Sequence, residues 1–189
     1  MVNRKNKTLE YRRKRTGQTN YNVRLGLLKS GVPRIVVRKT SKYLNVQLVQ
    51  YVPDGDKTLV SLSSKVLQKN GWNYSCRNIP AGYLIGLMFG KLALKQSKSA
   101  IVDLGSILSK KEAVVYAIVK GAIDAGMDIP VSEEILPSEE RLNGTHIKNY
   151  AENLDKDTYN KLFSGYNKLK VDAKKIPEEF EKLKKSIMK

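Results

Sequence analysis

PRIVVRKTSKYLNVQLVQ, residues 33–50, sets two apolar runs around a cationic centre. Ile35, Val36 and Val37 form the first run and Leu44, Val46, Leu48 and Val49 the second, a pattern that predicts the two arms of a β-hairpin. The connection, made of Arg38, Lys39, Thr40, Ser41, Lys42 and Tyr43, then presents two Lys, one Arg, two hydroxyls and an aromatic ring together. Cations and hydroxyls grip a phosphate backbone, and an aromatic face stacks on a base or ribose. An ordinary solvated hairpin loop has a similar composition, so this stretch speaks to fold before it speaks to function.

Toward the C-terminus, Pro53-Asp54-Gly55-Asp56 is a turn signal, and residues 58–62 alternate in strand fashion, giving a third antiparallel strand. Residues 64–69 read as a short helix ending at Asn70-Gly71, and the conformation around Trp72 and Tyr74 is not legible. Asn78 suits the cap of a helix that begins near Pro80. Gly82, Gly86 and Gly90 recur every four residues and put small residues on one stripe of that helix, which predicts close packing onto the sheet. Gly90-Lys91 does not make a phosphate loop, because the spacing is wrong and Leu92 stands where a magnesium-binding Ser or Thr belongs. AIVDL at residues 100–104 reads as a buried strand added in parallel by a crossover, followed by a helix over residues 111–125 that closes at Gly126.

Toward the N-terminus, Tyr21, Leu25 and Leu28 recur at helical spacing, and Lys29-Ser30-Gly31 supplies a cationic last turn and a glycine stop. Arg24 and Lys29 extend the basic surface. Residues 1–15 contain nine cations or amides, among them Arg4, Lys5, Arg12, Arg13, Lys14 and Arg15, and are expected to be a disordered arm until a partner orders them. The formal net charge is +17, and residues 1–43 carry thirteen Lys and Arg against the single acid Glu10. The rest of the chain has 22 bases against 17 acids, so the excess is concentrated at one end. Such a charge repels itself unless a polyanion shares the space.

Residues 132–157 hold seven acids, and Ser138 with Glu139 and Glu140 starts a helix expected to run through Ile147 and Tyr150. Pro177 opens a last helix, with Glu178 and Glu179 at its positive end, Lys184 and Lys185 at its negative end, and Phe180, Leu183 and Ile187 along a face that should dock. The 189 residues thus divide into a basic arm (1–15), an α/β core domain (16–130) and a helical C-terminal extension packed on the core (131–189). A single cysteine, Cys76, excludes an internal disulfide framework and a four-thiolate zinc site, and points to a reducing, cytoplasmic compartment. The longest apolar stretch, residues 79–90, stops at Lys91, short of the roughly 20 residues that span a bilayer, so no membrane partner is expected. Without a signal peptide, the Asn-x-Ser/Thr sites at Asn6, Asn73 and Asn143 read as chance.

Catalysis finds little support. A nucleophile triad would depend on His146, the only histidine, with no Gly-x-Ser-x-Gly elbow beside it. Zinc ligands in register and a dinucleotide fingerprint are both missing. The order three strands, helix, strand, helix is that of ribonuclease-H-like folds, whose nucleases hold two metal ions with carboxylates on the first and fourth strands and a nearby helix. Asp103 stands in the fourth strand, but residues 34–38 offer no carboxylate and residues 81–97 none. One acid cannot hold a metal pair, and Asp103 is expected to bond local backbone or a cation.

The stretches YRRKRT (11–16), RLGLLKSG (24–31), PRIVVRKTSKY (33–43), GW (71–72), NIPAGYL (78–84), GAIDAGMDIP (121–130) and IPEEF (176–180) together resemble the archaeal-type large-subunit ribosomal protein number eighteen. The resemblance implies a three-layer α/β/α domain with a mixed sheet, ribonuclease-H-like in topology but without a catalytic site, plus an extended basic N-terminal arm and a helical C-terminal region. It implies 5S rRNA, 23S rRNA and ribosomal protein five of the same subunit as partners in the central protuberance, with no cofactor and no small-molecule substrate. Carried onto this chain, RNA binding falls to Arg12, Arg13, Lys14 and Arg15, to Tyr21 and Arg24, and to the turn Arg38, Lys39, Thr40, Ser41, Lys42 and Tyr43. Asn78 and Tyr83 match as well, as an RNA contact or as part of a helix cap. Many relatives have His or Arg where this chain has Tyr43, which leaves stacking as its role.

Overall fold

The β-branched runs around the cationic turn pair with each other, and the sheet grows outward from them. A computed structural model describes residues 9–188. Its elements run α1 (Arg12–Arg15), α2 (Tyr21–Leu28), β1 (Arg34–Lys39), β2 (Leu44–Val52), β3 (Gly55–Ser63), α3 (Val66–Lys69), α4 (Ile79–Ala93), β4 (Ile101–Asp103) and α5 (Val114–Asp124). The C-terminal part adds α6 (Glu139–Asn143), α7 (Thr145–Glu152), α8 (Lys156–Leu162), α9 (Ser164–Lys168) and α10 (Ile176–Met188). The sheet order is β3-β2-β1-β4, antiparallel from β1 through β3 and parallel between β1 and β4. The fold is therefore mixed α/β, and the crossover through α4 delivers β4 in the expected direction.

Strand periodicity gives the sheet two unlike faces. Ile35 lies opposite Leu48 and Val37 opposite Val46, and all four are fully buried in the core on one face. Arg34, Val36 and Arg38 alternate with them and turn to the other face. α4 packs on the apolar side through β2 and β3, and its start is set by Asn78, whose side chain accepts from the Ala81 amide, with Pro80 in the first turn.

The glycine stripe of α4 meets a different neighbour from the one expected. Instead of lying on the sheet, it lies on α5: a Cβ at Gly86 would overlap the Ile118 carbonyl oxygen, and one at Gly90 would stand 2.6 Å from Ala125 Cβ. Gly121 of α5 answers it, since a Cβ there would overlap the Tyr83 carbonyl oxygen. Every residue of α4 from 80 to 87 is buried, so the helix needs partners on opposite sides, and the side without side chains admits the second helix backbone.

Three further expectations change. The arm expected to be disordered has a helical turn at Arg12–Arg15, where Arg13 Nε donates to Thr19 Oγ1 (2.9 Å) and the Tyr11 and Tyr21 rings lie 5.4 Å apart. Arg4 and Lys5 lie outside the described residues. The helix expected to run from Ser138 through Tyr150 breaks at Gly144, whose φ of +85° ends α6. A Cβ on Gly144 would also stand 2.7 Å from Ile176 Cγ2, so the break lets the start of α10 approach. The unanticipated helices α8 and α9 carry Tyr159, Phe163 and Tyr166, and these rings stack toward buried Tyr74 and Trp72. As expected, α10 docks: Phe180 and Leu183 are buried, and Lys91 Nζ donates to the Ile187 carbonyl. Among the described residues no helix is long and apolar enough to cross a membrane.

Overpacking in a helix contact of this kind costs about 1–3 kcal/mol or more. Gly86→Ala should lower unfolding stability by at least about 2 kcal/mol, whereas Gly26→Ala in α2, where nothing lies within 4 Å of the added Cβ, should be neutral or slightly stabilising. Urea unfolding of both variants checks this, and equal effects would refute the packing account.

Candidate nucleic-acid interface

The cationic turn between β1 and β2 is closed by its own residues. The Thr40 amide donates to the Tyr43 carbonyl (2.9 Å), the Tyr43 amide donates to Thr40 Oγ1 (3.0 Å), and that hydroxyl donates to the Tyr43 carbonyl (2.8 Å). Thr40 therefore spends its side chain on turn geometry, and Tyr43 is half-buried against the core. Arg38, Lys39, Ser41 and Lys42 stay exposed.

Two further contacts brace this turn. Buried Ser64 accepts from the Leu44 amide (2.9 Å) and donates to the Cys76 carbonyl (2.7 Å), joining the hairpin to the loop before α4. From the same loop, Arg77 Nη1 donates to the Ser41 carbonyl (3.3 Å). Ser41, Lys42, Tyr43 and Arg77 thus line one shallow cleft. Arg77 was not singled out from sequence, because its relevance depends on a loop 36 residues away folding back to the hairpin.

A second, larger cleft of about 540 Å³ opens on the polar face of the sheet, between that face and residues 13–24. It gathers Arg13, Tyr21, Arg24 and Arg38 from the sequence-predicted set, and adds Gln47, Thr58, Arg34, Asp56 and Asp103. Arg34 is only 2% exposed. Its Nη1 donates to Asp103 Oδ2 (2.8 Å), and its Nη2 lies 2.8 Å from Asp56 Oδ2. The second contact lacks hydrogen-bond alignment and acts as an ion pair, and among the described residues Arg34 Nε has no acceptor. Asp56 also receives the Arg24 guanidinium as a fork, Nη1 to Oδ2 (2.9 Å) and Nη2 to Oδ1 (2.8 Å). Hydrogen bonding from Arg24, helped by Arg34, holds the Asp56 carboxyl below its ordinary range, and the same bond to Asp56 raises Arg24.

Asp103 therefore does what one carboxylate in a strand is expected to do. It binds a cation, Arg34, and local backbone, accepting from the Gly105 amide at 2.9 Å. A carboxylate already neutralised by a buried guanidinium is a poor metal ligand, which removes the nuclease reading from the residue that carried it. The missed partner, Arg34, had one local signal: a charge at the edge of a run of buried β-branched residues.

Other predicted residues fall elsewhere. Arg12, Arg15, Lys29 and Lys39 are exposed and line neither cleft, and Lys14 pairs with Glu10 at 2.6 Å. Asn78 acts as a helix cap. Tyr83 lies inside the core: it is 3% exposed, its hydroxyl donates to Asp124 Oδ2 (2.8 Å), and Phe180 lies against it. Burial, then the Asp124 bond, pushes its phenol up. The helical spacing that buries Tyr83 was visible in sequence, but the partner that accepts its hydroxyl was not.

A family model described as ribosomal large subunit proteins 60S L5 and 50S L18 matches residues 5–101. The large ribosomal subunit protein uL18 of Methanococcus maripaludis is 48% identical over 181 residues, covering 94% of this chain and 94% of that protein.

Removing one partner of a buried ion pair costs about 3–5 kcal/mol. Asp103→Ala should approach the lower end, since Asp56 still faces Arg34, and Asp103→Asn should cost less because it keeps an acceptor. Thermal and urea unfolding measure both, and a loss below about 1 kcal/mol for Asp103→Ala would show that the pair contributes little.

Proposed function

The chain belongs to the family of ribosomal large-subunit proteins 60S L5 and 50S L18, non-enzymatic structural constituents of the large subunit, and from this we propose that it binds 5S rRNA. On this reading it helps attach 5S rRNA to 23S rRNA in the central protuberance, beside ribosomal protein five. The fold is read as a ribonuclease-H-like, three-layer α/β/α domain without catalysis. Residues 1–15 act as the basic arm, 16–130 as the core and 131–189 as the helical extension.

The observation that carries the reading is the exposed set Arg38, Lys39 and Lys42 on a hydrogen-bonded, braced turn. Cations held in fixed relative positions match a shaped phosphate surface, whereas the same charges on a mobile loop only raise nonspecific affinity. Arg12, Arg13, Lys14 and Arg15, with Arg4 and Lys5 ahead of them, add phosphate contacts, and Tyr21 and Tyr43 offer ring faces. Arg24 enters the interface through its pairing with Asp56 more than through a free guanidinium. Specificity comes from RNA shape, loops and 2′-hydroxyls, because side chains do not read the deep major groove of A-form RNA.

If roughly six phosphates are neutralised, affinity should fall by about 10³ between 50 and 200 mM salt. Lys39→Gln and Lys42→Gln should each lower the slope of log K against log salt by somewhat under about one. The deciding measurement is binding to 5S rRNA against excess transfer RNA across the salt series. Preference for 5S rRNA that persists at high salt supports the reading, and equal binding to both RNAs reduces the protein to a nonspecific cationic coat.

A further inference from the structure

α2 is weakly anchored by packing. It has no buried residue, Val23 and Leu25 are exposed, and none of its side chains joins the hydrophobic core. Leu27 and Leu28 are half-buried, and among the described residues the side-chain bonds that tie the helix to the sheet are the Arg24 fork on Asp56, both at 2.9 Å or less. Asp56 in turn stands at the start of β3, fixed beside the buried Arg34 at 2.8 Å. α1 follows α2 through the Tyr11–Tyr21 contact and the Arg13–Thr19 bond. Beyond the short link of residues 29–33, the position of the N-terminal cations relative to the hairpin cations is therefore set largely through one carboxylate.

We infer that Asp56 is a positioning and specificity-determining residue for RNA recognition: it clamps α2, and with it α1, over the polar face of the sheet so that both cation sets face one RNA surface. The inference rests on the RNA-binding reading above. Its consequence runs against simple electrostatics. Asp56 is an acid folded in among the N-terminal cations, beside Arg24 and Arg34, and neutralising it raises net charge and frees Arg24 for a phosphate. If charge alone mattered, Asp56→Asn would bind RNA more tightly. A clamp predicts weaker and less selective binding, because a freed guanidinium on a loosened helix gains reach but loses placement.

The experiment measures 5S rRNA and transfer RNA binding at two salt concentrations for the wild-type chain, Asp56→Asn and Asp56→Glu. Asp56→Asn should lose about tenfold in affinity for 5S rRNA at the higher salt while holding or gaining affinity for transfer RNA, and Asp56→Glu should recover most of the preference. Tighter 5S binding by Asp56→Asn, or an unchanged preference, overturns the inference while leaving the RNA-binding reading intact. A wild-type chain with no 5S preference overturns both.

Loss of Asp56 also takes one partner from Arg34, so an RNA-independent measurement accompanies the first. Arg24→Gln leaves Arg34 both of its carboxylates and should keep the fold. Hydrogen exchange of the free variant should speed up at the α2 amides and stay unchanged in β1 and β2. Unchanged α2 exchange would mean that the fork does not hold the helix, and the clamp would be wrong.

Discussion

A guanidinium cannot shed its proton inside a protein, so once β1 begins with an arginine that its neighbours bury, the surrounding structure must supply carboxylates. Arg34 draws Asp103 from β4 and Asp56 from β3, and these come from opposite sides of β1 in the sheet. The polar face is thereby denied to an apolar helix. Val36 and Val49 are its buried apolar members, Val23 of α2 stands exposed at the edge of its cleft, and the other side chains lining that cleft are amide, hydroxyl or charged. What comes to lie over it is α2, which offers an arginine instead of a leucine stripe. One buried charge thus explains why one face of the sheet carries the core while the other stays polar under a thinly packed helix.

Features fixed by short-range periodicity were legible in the sequence. The three antiparallel strands, the fourth strand, the Asn78 cap and the docked final helix all rest on patterns within about ten residues, and the parallel direction of the fourth strand on the crossover rule. Features fixed by partners distant in the chain were not. Arg34 and Asp103 are 69 residues apart, and each alone reads as an isolated charge in a strand. The glycine stripe announced a close approach but not what approached, since a helix and a sheet both need small residues at a tight contact. Gly144 sits in an otherwise helical pattern, and the close approach of Ile176 and Pro80 to its left-handed backbone is made by residues far away in the chain. In the candidate interface, the cationic turn was visible as composition, while its rigidity, through Ser64 and Arg77, was not.

That rigidity bears on how the turn can act. A loop of free lysines must give up rotamer and backbone entropy on binding, and much of its Coulombic gain is lost to that cost. Here Thr40 and Tyr43 close the turn, Ser64 ties its base to the Cys76 carbonyl, and Arg77 reaches its backbone at Ser41. The backbone cost is met on folding. Only the Lys39 and Lys42 side chains remain to be ordered by a partner, and their long stems let them adjust to phosphate positions that the backbone does not need to match.

The C-terminal third supports the same turn from behind. Rings run from Tyr159 through Phe163 and Tyr166 to Tyr74 and Trp72, with centroids between 4.9 and 5.7 Å apart. Tyr166 Oη accepts from the Ser75 amide at 3.2 Å, and Tyr74 Oη donates to the Asp172 carbonyl at 3.1 Å, burial having pushed the Tyr74 phenol up to about 12. Residues 72–77 are therefore gripped on one side by this ladder and on the other by Ser64 and the hairpin. This arrangement also keeps charge apart. The acids of residues 132–157 line neither the cleft beside the hairpin turn nor the cleft on the polar face of the sheet. The acids that do reach the polar sheet face, Asp56 and Asp103, are each consumed by arginine. An unpaired carboxylate on that face would repel RNA. A carboxylate locked between two guanidinium groups, as Asp56 is, instead converts mobile positive charge into fixed positive charge, which is what the proposed discrimination of one RNA from another would require.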